Sequence, residues 1–496
     1  MGTFITFPEL LLWLPLLAGI TSFFLKEKAA KTWAILASLI VLAVSVTSLF
    51  YSDDTQYASY NKVNYYWMKQ IGNSFFVGLD STGRLLTLLT AIAFPVIFIA
   101  TQKRTYKNAG AFYGLMLLAQ SGLMGVFVSL DALLFYFFWE LALIPVYFLC
   151  SKWGGEKRIQ ATFKFFVYTF AGSLLMLIGI LYVYMHTPQR AFEDGSFSAH
   201  SFALQSFMNT SLTIPEQNWL FWLFFVAFAI KMPVFPFHTW QPDTYDQSPT
   251  SVTMVLSGIM VKMGLFGVIR WLIPVFPQAS VHYADIVIIL CIIGILYASC
   301  IAMVQDNIKK LVAYSSIAHI GLMCAALFSF NELSTQGALI QLFSHGINII
   351  GMWIVVDILE RQTGVKNISQ LGGVAQKAPV LTIFLVIIAL ANIALPLTNA
   401  FVGEFMMFGG LFNVNPWYAV AAGISIILAA AYTLKMIQKV FYGELVPATA
   451  HVTDISFGEK SALLGLVALI FLFGVVPQPM IDFTKQALKN ILAVVH

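Results

Sequence analysis

Fourteen stretches of this sequence stay apolar for about 20 residues, the length a helix needs to cross the hydrocarbon core of a bilayer. They lie near 9–25, 32–50, 80–100, 109–129, 132–151, 159–186, 218–246, 249–273, 281–304, 311–329, 335–359, 379–411, 416–440 and 460–478. Lipid offers no hydrogen-bond partner to an exposed backbone, so stretches of this kind fold as helices. An all-α polytopic membrane protein follows. Composition agrees, with 59% of the residues hydrophobic and 10% charged, whereas soluble domains carry about 25% charged residues. The net charge of +4 therefore says nothing of nucleic acid; what matters is where the 27 Lys and Arg residues sit. The first stretch has no basic run before it and no small-residue cleavage site after it, so it reads as a span rather than a signal peptide. Cys150, Cys291, Cys300 and Cys324 are scattered through apolar segments without metal-ligand spacing. That pattern predicts buried structural thiols, not a disulfide framework or an iron–sulfur site.

Basic residues gather at alternate span ends: Lys26/Lys28/Lys31, Lys103/Arg104/Lys107, Lys152/Lys157/Arg158, Lys309/Lys310, Arg361/Lys366/Lys377 and Lys435/Lys439/Lys460. The opposite loops are poor in them, with Lys62 and Lys69 in 51–78 and Arg190 in 187–217. By the positive-inside rule the rich ends are cytoplasmic and both termini lie outside. Residues 1–108 then form a three-helix segment whose polar, aromatic outer loop 51–78 predicts a short hairpin. The loop 187–217 reads as irregular, and residues 441–496 hold the last span and a short amphipathic tail after Pro479, suited to the membrane surface.

Two spans are interrupted. In 218–246 an apolar helix carries Lys231 and then meets Pro233 and Pro236, which lack the N–H a helix needs. In 379–411 Pro396 precedes Glu404, with Gly403, Gly409 and Gly410 around it. Lys231 and Glu404 are 173 positions apart, and so are Lys262 and Lys435. Paired interrupted helices point to an internal repeat, with 109–273 and 281–440 as two five-helix copies. Because five spans per copy is odd, the copies sit inverted.

Ionisable groups inside a membrane cost about 2.5–3.5 kcal/mol or more each, so each one calls for a reason. Glu140 is mid-span in FYFFWELALIPVYFL, and Lys231 is the cation expected to pair with it as a separable switch. Holding two helices together is the plainer reading of Glu140. Lys262, in SGIMVKMGLFG, has no acid on its own helix and suits reversible protonation; the alternative is snorkelling to an interface. His319 and His345 fall on consecutive spans beside Ser315, Ser316 and Ser344, fit for a proton relay if they are not simply satisfied core residues. His238 follows the first break and shapes it or lines its entrance. Lys164, Asp131, Asp357 and Lys435 lie near span ends, where anchoring is as good a reading as function, although the repeat favours Lys435. Asp80 and Arg84 read as an outer-face ion pair. A set rich in cations suits protons better than sodium.

The stretches FFWELALIPVYFL, SKWGGEKRIQATFKFFVYTFAGS, KMPVFPFHTWQPD, GIMVKMGLFG, QDNIKKLVAYSSIAHIGL, FSHGIN and FVGEF span roughly 110–445. Through them the chain resembles the antiporter-like subunits of respiratory NADH:quinone oxidoreductase, relatives of multisubunit cation/proton antiporters, and is nearest the M-type pattern. The resemblance implies a fourteen-helix subunit with two inverted five-helix repeats and two discontinuous helices. It implies a proton path through Glu140, Lys231, Lys262, His319, His345 and Glu404, with Lys164, His238 and Lys435 secondary, driven by electron transfer elsewhere. FMN, iron–sulfur clusters and quinone are then expected in partner subunits, with no cofactor in this chain. The partners it implies are other membrane and peripheral subunits, above all neighbouring antiporter-like ones, in a bacterial inner membrane. The chain departs from the pattern at Met232 (usually Thr), Gln241 (usually Leu) and Tyr245 (usually His). LPLTNAFVGEF also stands in place of LPGTSGFVGEF, which puts the geometry of the second break in question. A sodium/proton antiporter subunit and a membrane scaffold are the alternative readings.

Overall fold

The computed structural model describes residues 5–51, 58–191 and 198–495. Parts of the two outer loops, 52–57 and 192–197, lie outside the described residues. Each apolar stretch read from the sequence is a helix or a pair of half-helices. Among the described residues, eleven helices are long and apolar enough to cross a membrane, and the shorter Phe7–Ser22 joins them. The other two stretches are split, into Ile214–Lys231 and Trp240–Gln247, and into Pro379–Asn392 and Asn399–Val414. The chain is a multi-pass membrane protein.

Helix starts are fixed by side chains that accept from the free N–H groups of the first turn. Asp131 accepts from Leu133 and Leu134, Asn307 from Lys309 and Lys310, and Asn331 from Leu333 and Ser334. Asp131 also accepts from Asn73 Nδ2 at 2.9 Å and the Ser74 amide at 3.3 Å. It thereby ties down an antiparallel hairpin, Lys62–Met68 against Asn73–Gly78, where a hairpin was expected. Asp131 is thus a structural anchor. Gln478–Val495 is the expected amphipathic tail helix, with Met480, Thr484, Leu488 and Ile491 buried against the bundle.

Three helices sit at the centre: Thr250–Val275, Ile308–Phe328 and Glu332–Thr363 are 100%, 94% and 100% buried over their apolar windows, against 33% for Phe457–Val475 at the periphery. Peripheral helices show apolar faces outward, which is no liability in lipid. Close approach needs residues without a side chain. A methyl on Gly264 would lie 2.6 Å from Phe228 O, and one on Gly337 would lie 2.6 Å from Gly403 O. Helix Thr250–Val275 also contains two π-helical turns, Leu256–Met260 and Val268–Leu272, one on each side of Lys262.

The two breaks differ. At the first, Pro233 and Pro236 end the helix, and Trp240 Nε1 donates to Ile230 O at 2.9 Å across the gap. At the second, Ala394 (φ 57°) and Leu397 (φ 74°) both adopt the left-handed conformation. Leu397 occupies a glycine position of the related pattern, so the break keeps its glycine-like geometry under steric strain.

Two expectations are corrected here. Asp80 pairs with Arg270, not Arg84, because it caps the helix Ser81–Ala100 and accepts from Gly83 while Arg270 reaches it from Val268–Leu272. Arg84 donates to Tyr51 O instead. Cys300 is exposed on the outside of the bundle, whereas Cys150, Cys291 and Cys324 are buried.

Candidate functional site: a line of titratable groups

Lys262 is fully buried. In the π-helical turn before it, the Val261 amide reaches back to Leu256 O at 3.2 Å. Ser257 O then accepts from Lys262 Nζ at 2.9 Å. On its other side Lys262 Nζ is 2.8 Å from His345 Nδ1. With the lysine protonated, Nδ1 is the acceptor and His345 carries its own proton on Nε2, which faces Ser316 Oγ at 3.3 Å. The ring of His319 lies 5.5 Å from that of His345, and His319 Nδ1 is 3.0 Å from Glu404 Oε1. Gln341 Nε2 donates to the same carboxylate oxygen at 3.2 Å. A cavity of about 20 Å³, lined by His319, Glu404, Tyr432, Ser299 and Ser425 among others, has room for about one water. Four of the six expected groups, Lys262, His345, His319 and Glu404, therefore fall on one line as two bonded pairs, with the two histidine rings 5.5 Å apart and His319 Nε2 without a partner among the described residues. Such a line can hand a proton on within each pair, and a ring rotation or a bridging water would carry it between the two histidines.

Glu140 and Lys231 are not brought into contact. Lys231 ends its half-helix with Nζ over the rings of Trp139 (5.4 Å) and Phe165 (6.0 Å) and has no hydrogen-bond partner among the described residues. Glu140 follows Trp139 in the chain and faces a lateral cavity of about 330 Å³ lined by Trp67, Met68, Tyr136 and Phe137 among others. Neither Glu140 Oε1 nor Lys231 Nζ has a hydrogen-bond partner among the described residues. Lys435 is likewise away from the line: it is exposed, and its Nζ donates to Met303 O at 3.2 Å. Equal spacing misaligned the two breaks, since Lys231 precedes the first one and Glu404 follows the second.

Lys164 and His238 sit at the first break. Lys164 Nζ donates to Thr239 O and Asp243, both at 2.8 Å, and the buried His238 packs on Phe235 and Tyr297. Lys164 borders a charged vestibule that sequence reasoning missed. Asp243 also meets Lys310 at 3.5 Å, and Asp246 meets Lys366 at 3.3 Å. Glu360 accepts from Thr250 Oγ1 at 2.6 Å and lies 3.5 Å from Lys309 and Arg104. Arg104 also pairs with Asp357 at 2.9 Å. An open cavity of about 710 Å³ runs among Lys157, Lys164, Asp243, Asp246, Glu360 and Lys366. Arg104, Lys157, Lys309, Lys310 and Lys366, five of the cations expected on one face, thus gather around this cavity. The available signal was DTYD in the broken helix, two acids three positions apart beside apolar spans.

The family described as NADH:quinone oxidoreductase/Mrp antiporter, transmembrane, matches residues 129–429. NADH-quinone oxidoreductase subunit M of Rickettsia prowazekii is 36% identical over 490 residues, covering 97% of each chain. The chain belongs to the subunit M family. Subunit M of Escherichia coli K12 is 34% identical over 433 residues, covering 86% of this chain and 84% of that one. A chain of respiratory complex I from Thermus thermophilus superimposes with a TM-score of 0.89 at 28% identity, covering 98% of this chain and 99% of its counterpart. The line lies within the family match from His319 to Glu404 and back to Lys262.

Proposed function

We propose that this chain is the proton-translocating M-type membrane subunit of NADH-quinone oxidoreductase, a translocase whose redox reactions take place in partner subunits. FMN, iron–sulfur clusters and quinone belong to those partners, and neighbouring antiporter-like subunits flank this one in a bacterial inner membrane with both termini outside. Residues 109–273 and 281–440 serve as inverted copies, each holding one broken helix. The observation that carries the reading is the contact line Lys262–His345–His319–Glu404 through the three most enclosed helices and the second broken one. Glu140 and Lys231 act upstream as the switch and Glu404 as the exit group. The test is Lys262→Met in the intact complex, assayed in inverted membrane vesicles. NADH-driven proton uptake should fall at least tenfold, equivalent to about 1.4 kcal/mol of lost barrier lowering, while the complex still assembles. An unchanged ratio of protons moved to NADH oxidised overturns the role.

A further inference from the structure

The half-helix Trp240–Gln247 lines the charged vestibule with Asp243, Asp246 and Gln247 and turns Gln241 and Tyr245 inward. Both are completely buried. The Tyr245 hydroxyl and the Gln241 amide lie near each other, but neither makes a well-formed hydrogen bond to any described residue. Four positions apart on a helix, the two side chains share a face. The Tyr245 ring lies 5.9 Å from that of Trp353, whose Nε1 is also unpartnered. On one side the next residue, Asp246, lines the vestibule and bonds Lys366 and Asn307. On the other, the Trp240 indole holds this half-helix to Ile230 O, beside the unpartnered Lys231. Tyr245 O accepts from Thr253 Oγ1 at 3.4 Å, and Thr253 O accepts from Ser257 Oγ at 2.8 Å, one turn before the carbonyl that holds Lys262.

We propose that Gln241 and Tyr245 bind a short file of water between the vestibule and the two lysines, and that the Tyr245 hydroxyl relays protons along it. The inference rests on the proton-translocating reading above. Buried polar atoms left unpaired are disfavoured, and a buried water characteristically makes about three hydrogen bonds. Gln241 offers two donors and an acceptor, and the phenol offers one donor and its lone pairs. In the relay the phenol oxygen accepts a proton from the vestibule-side water as its own proton passes to the inner one. The phenol stays neutral throughout and rotates back for the next transfer, so one proton moves and nothing else changes. The departures from the related pattern fit this division of labour. Where that pattern has an apolar residue and a titratable ring, this chain has an amide to hold water and a hydroxyl to pass the proton.

The test uses the intact complex in inverted vesicles, with Tyr245→Phe, Gln241→Leu and the double variant Gln241→Leu/Tyr245→His beside Lys262→Met. Tyr245→Phe keeps the ring against Trp240 and Trp353. It should lower NADH-driven proton uptake roughly tenfold and change the ratio of rates in H2O and D2O, with thermal stability unchanged. The double variant should restore uptake, because a histidine passes protons without the amide's help. Wild-type uptake and isotope ratio in Tyr245→Phe, with Lys262→Met inactive, would overturn the relay alone; normal uptake in both would overturn the underlying reading as well. Should the Phe variant fail to assemble, a cryo-EM map of the wild-type complex decides. Density for water bonded to Gln241 and Tyr245 supports the site, and side chains bonded only to protein refute it.

Discussion

Lys262 and Lys231 are both completely enclosed lysines on adjoining helices, yet the first is bonded on two sides and the second on none. The difference originates in the backbone. A π-helical turn frees a carbonyl for Lys262 and directs it at His345, so donor and acceptor are already in place. Lys231 ends a half-helix where Pro233 interrupts it, and only aromatic faces meet its ammonium group. Cation–π attraction is worth about 2 kcal/mol when desolvated, less than a buried charge needs to be held firmly. One region is preorganised for transfer. The other is poised to exchange partners, with Glu140 near but not bonded to it. Conduction suits the first region and gating the second.

Double-mutant cycles would break or sharpen this contrast most. His319→Ala with Glu404→Gln should show a coupling of about 1–3 kcal/mol in the thermal unfolding of the purified complex, as groups in contact do. Glu140→Gln with Lys231→Met should couple more weakly, since no hydrogen bond or ion pair joins the two. Strong coupling in the second pair would mean that the two meet directly. A smaller effect is expected from relieving the second break, where Leu397→Gly should raise stability by about 1 kcal/mol by removing a side chain from a left-handed position. Calorimetry on the purified complex measures it, and a loss of stability would show that Leu397 is not strained. Smallest of all, Lys435→Met should leave proton uptake in vesicles unchanged, since Lys435 touches none of the line.

Much of this was legible in the residues because the relevant forces are local or severe. Apolar length marks a span wherever it occurs, and a charge such as Lys262 in an apolar helix stands out against the lipid penalty. Glu404, His319 and His345 were legible for the same reason, although their contacts were not. Long-range pairing was hidden. Asp243, Asp246 and Glu360 are ordinary charges at helix ends until folding brings Lys310, Lys366 and Lys309 to them. Equal spacing also failed as a ruler for Lys435, because the position of a residue relative to a helix break depends on backbone geometry. The left-handed Leu397 could be located only by the fold, since leucine carries no signal for that conformation.

The contact between Gly337 and Gly403 limits how Glu404 can travel. With backbone set against backbone there is no cushion of side chains to deform, and the two helices mesh like a rack and pinion. Sliding by a fraction of a turn would drive one main chain into the other, so displacement of the carboxylate must come from rotation of its own side chain or from a step of a whole helical turn. Any shift of the Glu404 carboxylate is therefore a discrete click, never a gradual drift.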